Sequence, residues 1–264
     1  MRTVPAFRAR KGSGPPLVVL TAYDAATAAW GEAAGVDALL VGDSLGMVVL
    51  GHESTLPVTM DEMLHHARAV GRRRKDALLV ADLPWLSYHL GARDAIVNAA
   101  RFVREARVDA VKLEGGSKRI EVVRALVDAE IPVMGHLGLT PQSVLAMGGY
   151  KVQGRGSEQA DTLAADARAL VEAGVFSLVL EGVPQALAAR ITSEVPVPTI
   201  GIGAGPSCDG QVLVVHDLLG MLPGPVPKFV RRYADLQGTA SEAIRRWATD
   251  VRAGSFPGAE ETYS

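Results

Sequence analysis

Asp109-Ala110-Val111-Lys112-Leu113-Glu114 reads as a short buried strand that finishes on a carboxylate. The same form occurs twice before it. Ala38-Leu39-Leu40-Val41-Gly42 runs into Asp43, and Ala77-Leu78-Leu79-Val80-Ala81 runs into Asp82. Apolar runs without alternation belong to parallel sheets covered on both faces. In a closed barrel of parallel strands the C-terminal strand ends converge on one face, where such folds do their chemistry. Three acids gathered there repel one another unless some are protonated or a cation lies between them. A hard divalent ion with oxygen ligands, Mg2+ foremost, is the simplest resolution.

Outward from these strands the alternation continues. Leu17 to Thr21 predicts a first strand, and Asp24 caps an Ala-rich helix that stops near Gly35. Thr59 and Glu62 form a capping box ahead of a helix carrying His65 and His66. A helix over 92–106 separates the third strand from the fourth. Further strands are expected at Ile131–Gly135, Phe176–Glu181, Pro198–Gly201 and Gln211–His216. Long loops are expected at 44–59 and 136–157, and loops of that length in a compact domain are usually functional or disordered. Eight strand–helix units favour an α/β architecture, a (β/α)8 TIM barrel, over an open doubly wound sheet. Thr239 and Glu242 predict one more helix, running to about Arg252, that packs on the barrel or on a neighbouring subunit. With no repeat beyond the βα unit and no linker, residues 1–264 read as a single catalytic domain.

Composition excludes several classes. The 264 residues are 48% hydrophobic with a net charge of −2, which supports a full core and gives no reason to expect nucleic acid or an anionic membrane as partner. The basic run Arg72-Arg73-Arg74-Lys75 is expected to be a solvated loop. The single cysteine, Cys208, rules out an internal disulfide. No stretch has the roughly 18 apolar residues needed to span a bilayer, and the basic N-terminus lacks the apolar stretch of a signal peptide. A cytoplasmic location is the expectation.

Lys112 and Glu114, two apart on a strand, point to the same side, either as functional charges in the barrel mouth or as a structural ion pair. Asp43 and Asp82 each also suit the cap of a following helix, but with Glu114 the metal reading is stronger. Glu181 ends Leu178-Val179-Leu180-Glu181-Gly182; partial desolvation suits it to a general base, and a salt bridge across the mouth is the alternative. His136 orients a carbonyl, moves a proton or is structural. The other histidines His52, His65, His66 and His89 read as non-ligands. Gly201-Ile202-Gly203-Ala204-Gly205 lacks dinucleotide-binding spacing and reads as a tight loop.

Longer stretches then carry a resemblance. Val41-Gly42-Asp43-Ser44-Leu45-Gly46-Met47, Gly51 to Thr59 and Ala81-Asp82-Leu83-Pro84 are three of them. Val111-Lys112-Leu113-Glu114-Gly115-Gly116, Gly135 to Gln142 and Gly148 to Arg155 follow in order. So do Gly201 to Gly205, Gln211 to Asp217 and Pro227-Lys228-Phe229. Taken together, from about Leu20 to about Phe256, the chain resembles the 3-methyl-2-oxobutanoate (ketopantoate) hydroxymethyltransferase family.

The resemblance implies a (β/α)8 barrel enzyme of pantothenate biosynthesis. It implies transfer of a one-carbon unit from 5,10-methylenetetrahydrofolate to 3-methyl-2-oxobutanoate, giving 2-dehydropantoate. Asp43, Asp82 and Glu114 match the family's metal positions, for one Mg2+ per subunit. Asp43, Ser44, Asp82 and Lys112 match substrate-binding positions, His136 is placed with them, and Glu181 matches the proton acceptor. A homodecamer acting on small molecules is implied too. Two departures stand out: Gly182 where a small side chain is expected, which would loosen the Glu181 backbone, and Trp85 where Phe is usual. The competing reading is another Mg2+-dependent barrel enzyme on 2-oxo acids, of the phosphoenolpyruvate mutase and isocitrate lyase type.

Overall fold

The computed structural model describes residues 2–263 and divides them into two units, one reaching to Val215 and one beginning at His216. The first unit is a closed barrel of eight parallel strands in sequence order, the TIM barrel expected. The strands are β1 (Leu17–Thr21), β2 (Ala38–Val41), β3 (Leu78–Asp82), β4 (Ala110–Glu114), β5 (Val133–Gly138), β6 (Ser177–Glu181), β7 (Thr199–Ile202) and β8 (Gly210–Leu213). β1 pairs with both β2 and β8, which closes the ring.

Side chains of alternate residues fill the barrel. Leu17, Val19, Ala38, Leu40, Leu78, Val80, Ala110, Met134, Val179, Ile200 and Val212 belong to one buried cluster. The floor of this cluster comes from a segment that the sequence did not mark. A short helix, Val4–Arg8, is capped by Thr3 and opened by Pro5, and it drives Phe7 against Phe176, edge to face at 5.9 Å. Alternation then dictates the far end of each strand. Continuing the inward rows past Val80, Ala110, Met134 and Val179 leads to Asp82, Lys112 with Glu114, His136 and Glu181. Polar side chains thus stand where the apolar core ends.

Helix starts follow their chemistry. Asp24 and Thr59 each form a capping box, and Gly35 ends its helix in the left-handed region at φ 71°. Several boundaries differ from expectation. β5 extends three residues further, so His136 lies within the strand and not after it; the polar ring and the flanking glycines had hidden the pattern. β8 stops at Leu213, because the Thr21 hydroxyl takes the Val215 amide at 2.9 Å and a helix, Val215–Leu219, follows with His216 in it. The loop at 44–59 contains a helical turn, Leu45–Val48, and the segment after β5 contains two, Pro141–Ser143 and Val144–Met147.

The basic run is solvated at Arg72, Arg73 and Lys75, but half of it is helix and Arg74 is tied down. Arg72 and Arg73 finish the helix Met60–Arg73, while Arg74 reaches Asp109 at 2.6 Å and the Arg107 carbonyl at 2.8 Å, with its side chain 7% exposed. In the second unit a helix, Leu236–Ala253, begins about one turn earlier than a Thr239 cap implies. Its cap is Asp235, which accepts from the Gly238 amide at 3.0 Å. Among the described residues no helix is long and apolar enough to cross a membrane.

Candidate active site

The strand register sets the acids and bases side by side. Asp82 is the ladder neighbour of Lys112, Glu114 of His136, and Gly138 of Glu181. All of these except Glu181 and Gly138 are charged or polar groups buried to within a few per cent, as is Asp43 just beyond β2. Lys112 Nζ lies 3.1 Å from Asp82 Oδ1 and 3.2 Å from His136 Nδ1. His136 is flanked by two carboxylates, Glu114 at 3.4 Å from Nδ1 and Glu181 at 3.2 Å from Nε2. Glu181 therefore meets the cluster through His136 on the adjacent strand.

These contacts decide where the negative charge is balanced. Burial pushes the Glu114 carboxyl up, but His136, Lys112 and the Gln142 amide outweigh it and hold it below the ordinary range. At Asp43 the compensation falls short: burial, then Asp82 and Glu114, push its carboxyl well up against the Lys112 charge and the Gln142 hydrogen bond. Burial also raises Asp82, with the Lys112 ammonium only partly offsetting it. Lys112 itself is disfavoured by burial yet held above its ordinary range by Asp82, Glu114 and Asp43, so it stays charged. His136 is pushed up to about 9, since its two carboxylates outweigh burial and the Lys112 charge. The unbalanced charge sits on the Asp43–Asp82 pair.

That is where a cation fits. Asp82 Oδ1 is buried and meets the Lys112 ammonium at 3.1 Å, and Asp82 Oδ2 accepts the Asp43 amide at 3.1 Å, which clamps the two residues together. Hard carboxylate oxygens suit Mg2+. Both Glu114 oxygens already face protein donors, His136 Nδ1 and the Gln142 amide at 3.0 Å. Among the described residues no three His, Cys, Asp or Glu side chains are drawn together tightly enough to hold a metal by themselves. Asp43 and Asp82, whose carboxyls burial and neighbouring acids push up, could hold the ion with substrate or water oxygens completing the shell.

Sequence reasoning passed over Gln142, although it sits at the centre of this site. Its Nε2 donates to Asp43 Oδ2 at 2.8 Å and to the Leu83 carbonyl at 3.0 Å, and its Oε1 accepts from Tyr88 at 2.6 Å. Tyr88, also passed over, accepts the Glu114 amide at 3.2 Å. Ser44 lies at the rim with its hydroxyl 2.9 Å from that of Tyr23. Tyr150 overlooks the mouth: burial and the charges of Asp43, Glu181 and Glu114 raise its phenol. His66 Nδ1 meets the Tyr23 carbonyl at 2.6 Å, a structural contact. Gly182 adopts φ 55°, but its amide is held by Ile202 and its carbonyl by the Gln153 amide, both at 2.9 Å, so the backbone after Glu181 is fastened. Cys208 is buried, and burial raises its thiol, the reverse of an activated nucleophile.

Comparison with known proteins agrees over almost the whole length. Residues 1–259 match the family model described as ketopantoate hydroxymethyltransferase. A 3-methyl-2-oxobutanoate hydroxymethyltransferase of Moorella thermoacetica is 56% identical over 261 residues, covering 99% of this chain and 97% of the relative. One of Nitratidesulfovibrio vulgaris is 59% identical over 255 residues, covering 96% and 83%. Among solved structures, a phosphonopyruvate hydrolase in complex with oxalate and Mg2+ superposes with a TM-score of 0.63 at 16% identity, covering 99% and 93%. A 2,3-dimethylmalate lyase does so with a TM-score of 0.61 at 19% identity, covering 100% and 92%. Likeness at such identity speaks for the barrel alone.

Proposed function

The chain belongs to the ketopantoate hydroxymethyltransferase family, and from that premise we propose that it moves a one-carbon unit from 5,10-methylenetetrahydrofolate to 3-methyl-2-oxobutanoate. The product is 2-dehydropantoate, and the reaction is the first committed step towards pantothenate. The observation that supports this best is the pairing of buried His136 with half-buried Glu181 beside two under-compensated aspartates, Asp43 and Asp82. A base next to a cation site is what removal of a proton α to a carbonyl requires.

Asp43 and Asp82 would hold Mg2+, one per subunit, with Glu114 beside them as the third acid. Bound there, the ion would draw charge from the keto oxygen and acidify the C3 proton. Glu181 takes that proton. His136 positions Glu181 through Nε2 and leaves the second carboxylate oxygen to face C3. Lys112, held in its charged form, stabilises negative charge as it develops on the keto oxygen. Ser44 binds the substrate carboxylate, and Gln142 keeps Asp43 and Glu114 in place. Water adds to the methylene carbon of the folate and both of its C–N bonds break, releasing tetrahydrofolate and formaldehyde. The C3 electron pair then forms the carbon–carbon bond to the formaldehyde carbon. The resulting alkoxide, whose oxygen came from that water, takes up a proton to become the product hydroxyl.

We extend the reading to a cytoplasmic homo-oligomer, a decamer as the family resemblance implies. The exposed row Ile244, Trp247 and Val251 on one helix face supports a subunit contact. The test of the reaction mixes purified protein, both substrates and Mg2+ and looks for 2-dehydropantoate by mass spectrometry, with and without EDTA. Product that EDTA removes is expected. A folded, Mg2+-saturated protein that makes none would overturn the reading.

A further inference from the structure

A space opens directly from the acid cluster. It is a cavity of about 370 Å3 between the loops that follow β3, β4 and β5, with Leu56 at its edge. Its inner wall includes Glu114 and Gln142, two members of the acid cluster, so a molecule seated there abuts the reaction centre. Its outer walls are of two kinds. Trp85 and Leu145 line it while 39% and 80% exposed, so they present apolar surface to solvent. Lys118 and Arg119 line it as well, and among the described residues neither makes an ion pair. The Arg119 guanidinium lies 5.5 Å from the centre of the Tyr88 ring, which fixes its position without using its charge. The Nδ1 of His89, another lining residue, is buried with no hydrogen-bond partner.

An apolar slot flanked by two unpaired cations selects an aromatic group that carries carboxylates. The 2-oxo acid is too small and has no ring. A reduced folate carries its transferable carbon between a pterin and an aminobenzoyl ring, and that ring ends in a glutamate. We propose that this cavity receives the aminobenzoyl-glutamate arm of the one-carbon donor. Trp85 and Leu145 cover the ring, Lys118 and Arg119 take the carboxylates, and His89 Nδ1 hydrogen-bonds a polar atom of the arm. The inference rests on the function proposed above for its donor, but the cavity can be tested by binding alone.

The test is calorimetry on the full chain with two probes, 5-formyltetrahydrofolate and p-aminobenzoyl-L-glutamate. Both are expected to bind the wild-type protein. The double variant Lys118→Ala/Arg119→Ala and, on a different loop, Trp85→Ala are each expected to weaken both probes at least tenfold while keeping the wild-type circular dichroism. Unchanged affinity in both variants, or failure of p-aminobenzoyl-L-glutamate to bind, overturns the assignment. Exchange of the substrate's C3 proton in D2O needs no folate and separates the two readings. Exchange by a wild-type protein whose variants keep their folate affinity sinks the cavity alone. Variant-sensitive folate binding without exchange supports the cavity and counts against the proposed chemistry.

Discussion

Gln142 ties the acid cluster together: its neutral side chain touches Asp43, Tyr88 and the Leu83 carbonyl, and its backbone amide donates to Glu114. Partners of this kind orient ligands, and their loss typically costs 10–100-fold in metal affinity. Gln142→Ala is therefore expected to weaken Mg2+ binding by about that factor, read by calorimetry, with little change in melting temperature. The acids themselves were legible in the sequence, because each closes an apolar run and a charge there breaks the pattern. Gln142 and Tyr88 were not legible. A neutral polar residue on a loop has no periodic signature, and only the fold shows what it reaches. His136 was found, yet as a loop residue; its flanking glycines mask a strand that in fact carries it inward.

At the scale of elements, the strand ends are held in register by close backbone approach. Gly138 sits at φ 96°, and a Cβ there would lie 2.2 Å from the Glu181 carbonyl oxygen. Gly138→Ala is expected to displace β6 at its functional end, lowering both melting temperature and turnover; unchanged turnover would show that the approach does not matter. At the opposite end the Val4–Arg8 helix closes the barrel floor with Phe7. Phe7→Ala should cost about 3–5 kcal/mol of stability in chemical denaturation. The sequence marked strands and most helix starts well, since apolar runs and capping residues are local signals. It missed this helix, whose five residues bury one side chain and show no period. It also misplaced the cap of the last helix, where Thr239 and Glu242 mimic a capping box inside a helix already begun at Asp235.

Across the whole barrel, closure depends on Asp209, just before β8. Its carboxylate accepts from Lys11 at 2.8 Å, from the Thr199 amide at 2.8 Å and from the Gly12 amide at 3.1 Å, joining the N-terminal segment to β7. Burial raises its pKa, but the Lys11 ammonium and these amides outweigh burial and hold it below the ordinary aspartate value. A depressed folded pKa means stability that is present above the unfolded value, about 3.9, and lost as pH falls through the folded one. Asp209→Asn should melt lower than wild type at neutral pH, and the gap should narrow as the pH drops below the ordinary aspartate range. A gap that stays constant with pH would remove the carboxylate charge from the explanation. The central claim is that this closed barrel gathers its acids and bases to take a proton from C3 of 3-methyl-2-oxobutanoate. The most direct measurement is the loss of the C3 proton signal in D2O with Mg2+ and no folate, followed by NMR for wild type and Glu181→Gln. Exchange by wild type that falls at least about 100-fold in Glu181→Gln is the predicted result. Exchange at the wild-type rate in a folded Glu181→Gln protein would contradict it.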